Sequence, residues 1–169
     1  MKIHKLALAA VMASVMTAGA AHAVTQSVTA NISFDTPLSL TSVSSIQFGT
    51  VKAAQAGTYV ISTAGAVTPS GGGVWLFGTP AAGNLTVAGS TTQTITISTG
   101  SYVANGGVTP SAATCKYGAA AAAACDGGQS VAAPGASTTL LLGVQVVSDA
   151  TPVAGSTSTP SFTVTAVYN

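Results

Sequence analysis

The sequence has no glutamate and no arginine, and both histidines, His4 and His22, fall within its first 23 residues. Charged side chains make up 4% of the chain, against about a quarter in ordinary soluble domains. Beyond residue 23 the charges are Lys52, Lys116, Asp35, Asp126 and Asp149, a net charge of about −1. With no basic patch there is nothing to neutralise phosphates, so nucleic acid is not an expected partner. General acid–base catalysis draws mostly on His, Glu, Asp and Lys, and two of those four, His and Glu, are missing beyond residue 23. The three aspartates stand apart, each with a turn or surface explanation: Asp35 before Thr-Pro, Asp126 before Gly-Gly, Asp149 before Ala-Thr-Pro. A Ser–Lys pairing through Lys52 or Lys116 has only the abundance of serine behind it. Three scattered aspartates make a poor calcium site. The chain is not read as an enzyme, and no cofactor, metal or small-molecule substrate is expected.

Long apolar runs are also scarce. The one that stands out is Leu6 to about Met16, preceded by Lys2 and Lys5 and followed by Ala21-His22-Ala23, which has the A-x-A form of a cleavage site. This is the pattern of a secretory signal peptide over residues 1–23. The run is too short and too rich in alanine for a transmembrane anchor. Later apolar runs are brief and cut by Gly, Pro and Thr, so the product is expected to be exported. Setting the leader aside leaves 146 of the 169 residues, enough for one domain with a sizeable core.

What remains is rich in Ala, Ser, Thr, Gly and Val. Disordered chains are typically charged and poor in apolar residues, whereas this one is 47% hydrophobic. So few charges give little protection against self-association. The composition reads as a building material rather than a solution enzyme.

Short runs of period two recur along the chain: Thr58–Thr63, Asn84–Ala88, Thr92–Ser98 with Ile95 and Ile97 against Thr94, Thr96 and Ser98, and finally Phe162, Val164, Ala166 and Tyr168. Val74–Phe77 is wholly apolar, and Leu140–Val147 is nearly so, as expected of a strand covered on both faces. Gly- and Pro-rich clusters at 64–73, 104–113, 126–137 and 150–160 read as loops, with Pro160 just ahead of the last strand. Eight or nine short strands predict an all-β fold, a single immunoglobulin-like antiparallel β-sandwich over residues 36–169. A closed barrel is the runner-up. An outer-membrane barrel is disfavoured, with few strands of suitable length and too few aromatics for two girdles.

Two cysteines in an exported chain most simply form one disulfide, Cys115–Cys125, the alternatives being free thiols or an intermolecular link. The intervening Ala119–Ala124 is the only helix candidate. A straight helix from 115 to 125 would separate the Cα atoms by about 15 Å, whereas a disulfide needs roughly 4.4–6.8 Å. The chain must therefore double back, with the alanines forming at most a turn. Two cysteines without a histidine do not make a zinc site. Asn31-Ile-Ser and Asn84-Leu-Thr match the glycosylation pattern, a match short enough to arise by chance. Trp75 and Phe77 read as core residues, with a sugar-binding surface as the alternative.

The segment "VTQSVTANISF", residues 24–34, places Val24, Gln26, Val28, Ala30, Ile32 and Phe34 on one face and polar residues on the other. Burying its four large apolar side chains is worth about 6–12 kcal/mol gross, comparable to the whole stability of a domain. Residues 24–35 are therefore a first strand paired within their own sheet or a strand donated to another molecule, which is an established recognition mode. Amyloid-like assembly through exposed edges is a third possibility.

Leader, alternating N-terminal segment, the stretch "IQFGTV" (Ile46–Val51) and the alternating ending "SFTVTAVYN" together resemble a chaperone–usher fimbrial subunit, and a related set of small uncharacterised exported bacterial proteins. In such pilin-like subunits a penultimate tyrosine, here Tyr168, accompanies a glycine 14 positions before the end, here Gly155. The resemblance implies a sandwich left open for a donated strand. Val24, Val28, Ala30, Ile32 and Phe34 would be the donor residues. Gly155, Phe162, Val164, Ala166 and Tyr168 would form the edge read first by a periplasmic chaperone and later walling the groove. It also implies a homopolymer assembled through an outer-membrane usher into an extracellular fibre that supports adhesion or biofilm. Two features depart from the pattern: the cysteines come late in the chain, and Gln26 lies on the apolar face. The alternatives are a self-contained secreted binding module and an amyloid-like matrix protein.

Overall fold

The cleanest alternation in the sequence, around Ile95 and Ile97, becomes a long strand with both isoleucines fully buried. A computed structural model describes residues 26–169. The expected signal peptide over residues 1–23, and Val24, lie outside the described residues. The chain divides into two units, Met1–Ser33 and Phe34–Asn169. Residues 26–38 form no strand. Among the described residues there is no helix, and none long and apolar enough to cross a membrane. The strands are β1 (Ser39–Ser44), β2 (Thr50–Val51), β3 (Ala56–Ile61), β4 (Val67–Ser70), β5 (Trp75–Phe77), β6 (Gly83–Ala88), β7 (Ile95–Val103), β8 (Val108–Tyr117), β9 (Ala123–Ala124), β10 (Gln129–Val131), β11 (Thr138–Asp149) and β12 (Ser161–Tyr168).

β11 is the spine of the larger sheet. One edge carries β8, and the other is shared by β6 along Thr138–Leu142 and by β3 along Val144–Asp149. Gly143 sits where the partner changes: a Cβ there would meet the Thr114 hydroxyl at 2.7 Å and run into the Ile61 carbonyl. β1 flanks β6, β4 flanks β3 and β9 pairs with β8, all antiparallel. The second sheet has the order β10-β7-β12, and β2 with β5 forms a small third one. Tyr59, Ile61, Val87, Leu140, Leu142, Val144 and Val146 from the large sheet share one core with Ile95 and Ile97. The fold is thus all-β, antiparallel and sandwich-like.

Several sequence expectations are corrected. β11 buries Leu140, Leu142, Val144 and Val146 but leaves Leu141 and Gln145 half-buried and Val147 exposed, so it is covered on one face only. It is central within its sheet, which is why it is so apolar. The expected loops at 64–73, 104–113 and 126–137 contain β4, the first half of β8, and β10. Pro69 is tolerated because β4 is an edge strand. In β8 the small residues fit because Pro110 and Ala113 are buried against the core. Val74–Phe77 is not core: Phe77 is 64% exposed, because the three-residue β5 pairs only with the two-residue β2.

Candidate functional site

The two facing sheets are unequal, three strands against seven. Among the described residues β12 pairs with β7 alone, and its other edge carries no ladder. At the start of β12 lies a groove of about 970 Å³, between residues 45–51 on one side and residues 152–162 on the other. Tyr59, Val144 and Val146 line it from β3 and β11, and Val108 and Pro110 from β8. Ile46, Phe48, Val51 and Phe162 are half-buried apolar residues on its walls. The 45–51 segment is already bonded on one edge: Gln47 and Ala81 exchange two backbone hydrogen bonds of 2.8 Å, and Lys52 N–H donates to Val74 at 2.9 Å. Among the described residues the site is therefore an apolar trough that ends at a β12 edge without a strand partner, and its lining holds no cluster of ionisable groups.

Of the sequence-predicted groove residues, Gly155 and Phe162 line this trough, whereas Val164, Ala166 and Tyr168 do not. Phe162, Val164, Ala166 and Tyr168 share the inward face of β12 and pack against the core. Phe162 lines the groove, as does Gly155, which lies in a turn ahead of β12 at φ +83° rather than in the strand. Tyr168 lies at the other end of β12. Its hydroxyl donates to the Thr36 carbonyl and accepts from Ser90 N–H, both at 2.7 Å. This ties the last strand to the chain leading into β1.

Of the proposed donor residues, Val24 is outside the described region. Val28, Ile32 and Phe34 are 89%, 76% and 87% exposed, and Ala30 is exposed too. No protein-family model, no curated protein and no solved structure matches this chain.

Cys115 and Cys125 form the expected disulfide, with Cα atoms 5.8 Å apart and both residues fully buried. The chain doubles back as expected, with Ala123 and Ala124 pairing onto Cys115 and Thr114. Next to the disulfide is a polar cluster that carried no sequence signal. The Asp126 carboxylate accepts from Thr99 Oγ1 at 2.6 Å and from the Tyr102 hydroxyl, which in turn accepts from Ala113 N–H at 2.9 Å. Burial works to raise the Asp126 pKa, but the Thr99 and Tyr102 hydrogen bonds outweigh it and the net shift is downward. Tyr102 is raised by burial and by its bond to Asp126. Asp149 is lowered by the Thr151 hydroxyl and N–H, a local turn. Among the described residues, no three His, Cys, Asp or Glu side chains come together to hold a metal. Trp75 donates Nε1–H to the Phe48 carbonyl at 2.8 Å, fastening β5 to the groove wall.

Proposed function

We propose that this chain is a structural subunit of an extracellular bacterial fibre, built by strand donation: residues 24–34 of one copy fill the groove of the next. The observation that carries this reading is the coexistence of an apolar groove that reaches the start of β12 at Ser161 and Phe162, a β12 edge without a ladder partner among the described residues, and an exposed segment whose apolar residues alternate. The lengths agree. Eleven extended residues span about 36 Å and the eight of β12 about 26 Å. The donor supplies hydrogen-bond partners for the open edge of β12, while Val28, Ala30, Ile32 and Phe34 supply apolar side chains that pack onto the apolar walls of the trough.

On this reading the chain is exported through the periplasm. A chaperone covers the groove there, and an outer-membrane usher exchanges chaperone for subunit. The fibre then supports adhesion or biofilm. The test is the size distribution of the exported chain against that of Ile32→Asp, by chromatography under native conditions. Strand donation requires oligomers from the first and monomers from the second; monomers from both refute it. A second reading, a self-contained module binding sugar, draws on the neighbouring Trp75 and Phe77. It requires a monomer whose ligand binding is lost with Phe77→Ala.

A further inference from the structure

Strand β7 changes phase in the middle. Ile95, Ile97 and Thr99 point inward, so a regular strand would turn Ser101 and Val103 inward and Tyr102 outward. Instead Ser161 pairs with Val103 and Thr163 with Gly100, which sets two residues, Ser101 and Tyr102, opposite Phe162 alone. This is a β-bulge, and such bulges re-aim side chains. Here it turns Tyr102 inward, at the cost of holding Ser101 at φ +50° and leaving Val103 55% exposed.

Strand β8 does the same across the sandwich. Thr114 pairs with Gly143 and Ser111 with Gln145, so an extra residue lies between them. Ala112 stands at φ +47°, and burial switches from Pro110 to Ala113. The Ala113 N–H donates to the Tyr102 hydroxyl at 2.9 Å. Two residues in left-handed conformations, on two strands, thus serve one side chain. Held strain of this kind clusters at functional positions. The Tyr102 ring stands 5.7 Å from that of Phe162, tilted by 34°, and Phe162 lines the groove.

We propose that Tyr102 is a specificity-setting positioning residue of the groove: fixed by Asp126 and the Ala113 N–H, it holds Phe162 as a rigid wall against which one apolar side chain of the incoming strand is read. This rests on the reading of the groove as a strand acceptor. A loose Phe162 would accept any apolar residue, whereas a fixed one discriminates by shape.

The test uses the full chain carrying Ile32→Asp, which cannot donate, as acceptor. The probes are labelled peptides of residues 24–34: native, Val28→Ala, Ile32→Ala and Phe34→Ala. Dissociation constants are measured for the Tyr102 acceptor and for its Tyr102→Phe and Asp126→Asn variants. Tyr102→Phe keeps the ring and removes the anchor. It is expected to weaken the native peptide about tenfold and to erase most of the alanine penalty at one peptide position while leaving the others unchanged. Asp126→Asn should erase the same penalty in part. A loss spread evenly over all peptides, or no loss, overturns the proposal and leaves strand acceptance standing. No binding of the native peptide to the Tyr102 acceptor overturns both.

Discussion

The Tyr168 hydroxyl lies between two backbone groups, donating to Thr36 and accepting from the buried Ser90 at 2.7 Å each. The approach is close enough that a Cβ on Gly89 would collide with the same hydroxyl. One oxygen therefore joins the end of β12, the corner after β6 and the chain entering β1. Tyr168→Phe removes the acceptor and leaves the Ser90 N–H buried without a partner. The expected cost is about 1–3 kcal/mol in urea unfolding. Gly89→Ala should be costly in the native background and markedly less so with Tyr168→Phe, a coupling that a double-mutant cycle measures.

The disulfide closes a short loop, with a sequence separation of 10. Replacing both cysteines by alanine is expected to lower stability by about 2–4 kcal/mol. Because both cysteines are fully buried, reduction of the native protein should be slow without denaturant and fast with it. Thiol-labelling time courses under the two conditions check this.

Strand residues ordinarily favour β-branched side chains, yet Ala112 should be an exception. It is exposed, and its φ of +47° is unfavourable to a branched Cβ. Ala112→Val is expected to destabilise by about 1–3 kcal/mol, whereas Ala112→Gly should change stability by less than about 1 kcal/mol. Thermal unfolding of the two variants gives the comparison.

Two carboxylates, Asp126 and Asp149, have folded pKa values below the ordinary 3.8. A lowered folded pKa means that the unfolded chain binds the proton more tightly near pH 4. The stabilisation is present above the unfolded pKa and is lost as pH falls through the folded one. Asp126→Asn and Asp149→Asn should each flatten the acid limb of the stability curve. Tyr102, raised above 10.0, contributes in the opposite sense: its stabilisation is present below the unfolded pKa and lost as pH climbs through the folded one.

Alternation made the Ile95–Ser98 part of Thr92–Ser98 and the Phe162–Tyr168 face legible as strands, because there each second residue enters the core, whereas Thr92–Thr94 precede the strand. Strand β1 was not legible: in "SLTSVS" only Leu40 is partly buried, and Val43 points out. The first half of β8 looked like a loop because Gly, Pro and Ala are turn residues by composition, and their burial depends on what packs above them. The apolar exposed segment and the last strand were visible as candidate partners. The groove lining was not, since Tyr59, Val144 and Val146 are buried core residues whose sequence pattern does not mark a neighbouring groove. The two bulges left no trace in the sequence, because Ser101 and Ala112 are not residues that favour a left-handed backbone.

The most direct test of strand donation is a denaturing gel of the extracellular fraction from cells expressing the chain with its native secretion partners, run with and without boiling. The account predicts a heat-sensitive ladder from the native chain and none from Ile32→Asp. A single monomer band in both, with the variant merely less stable, would contradict it and would make residues 24–34 a part of their own subunit.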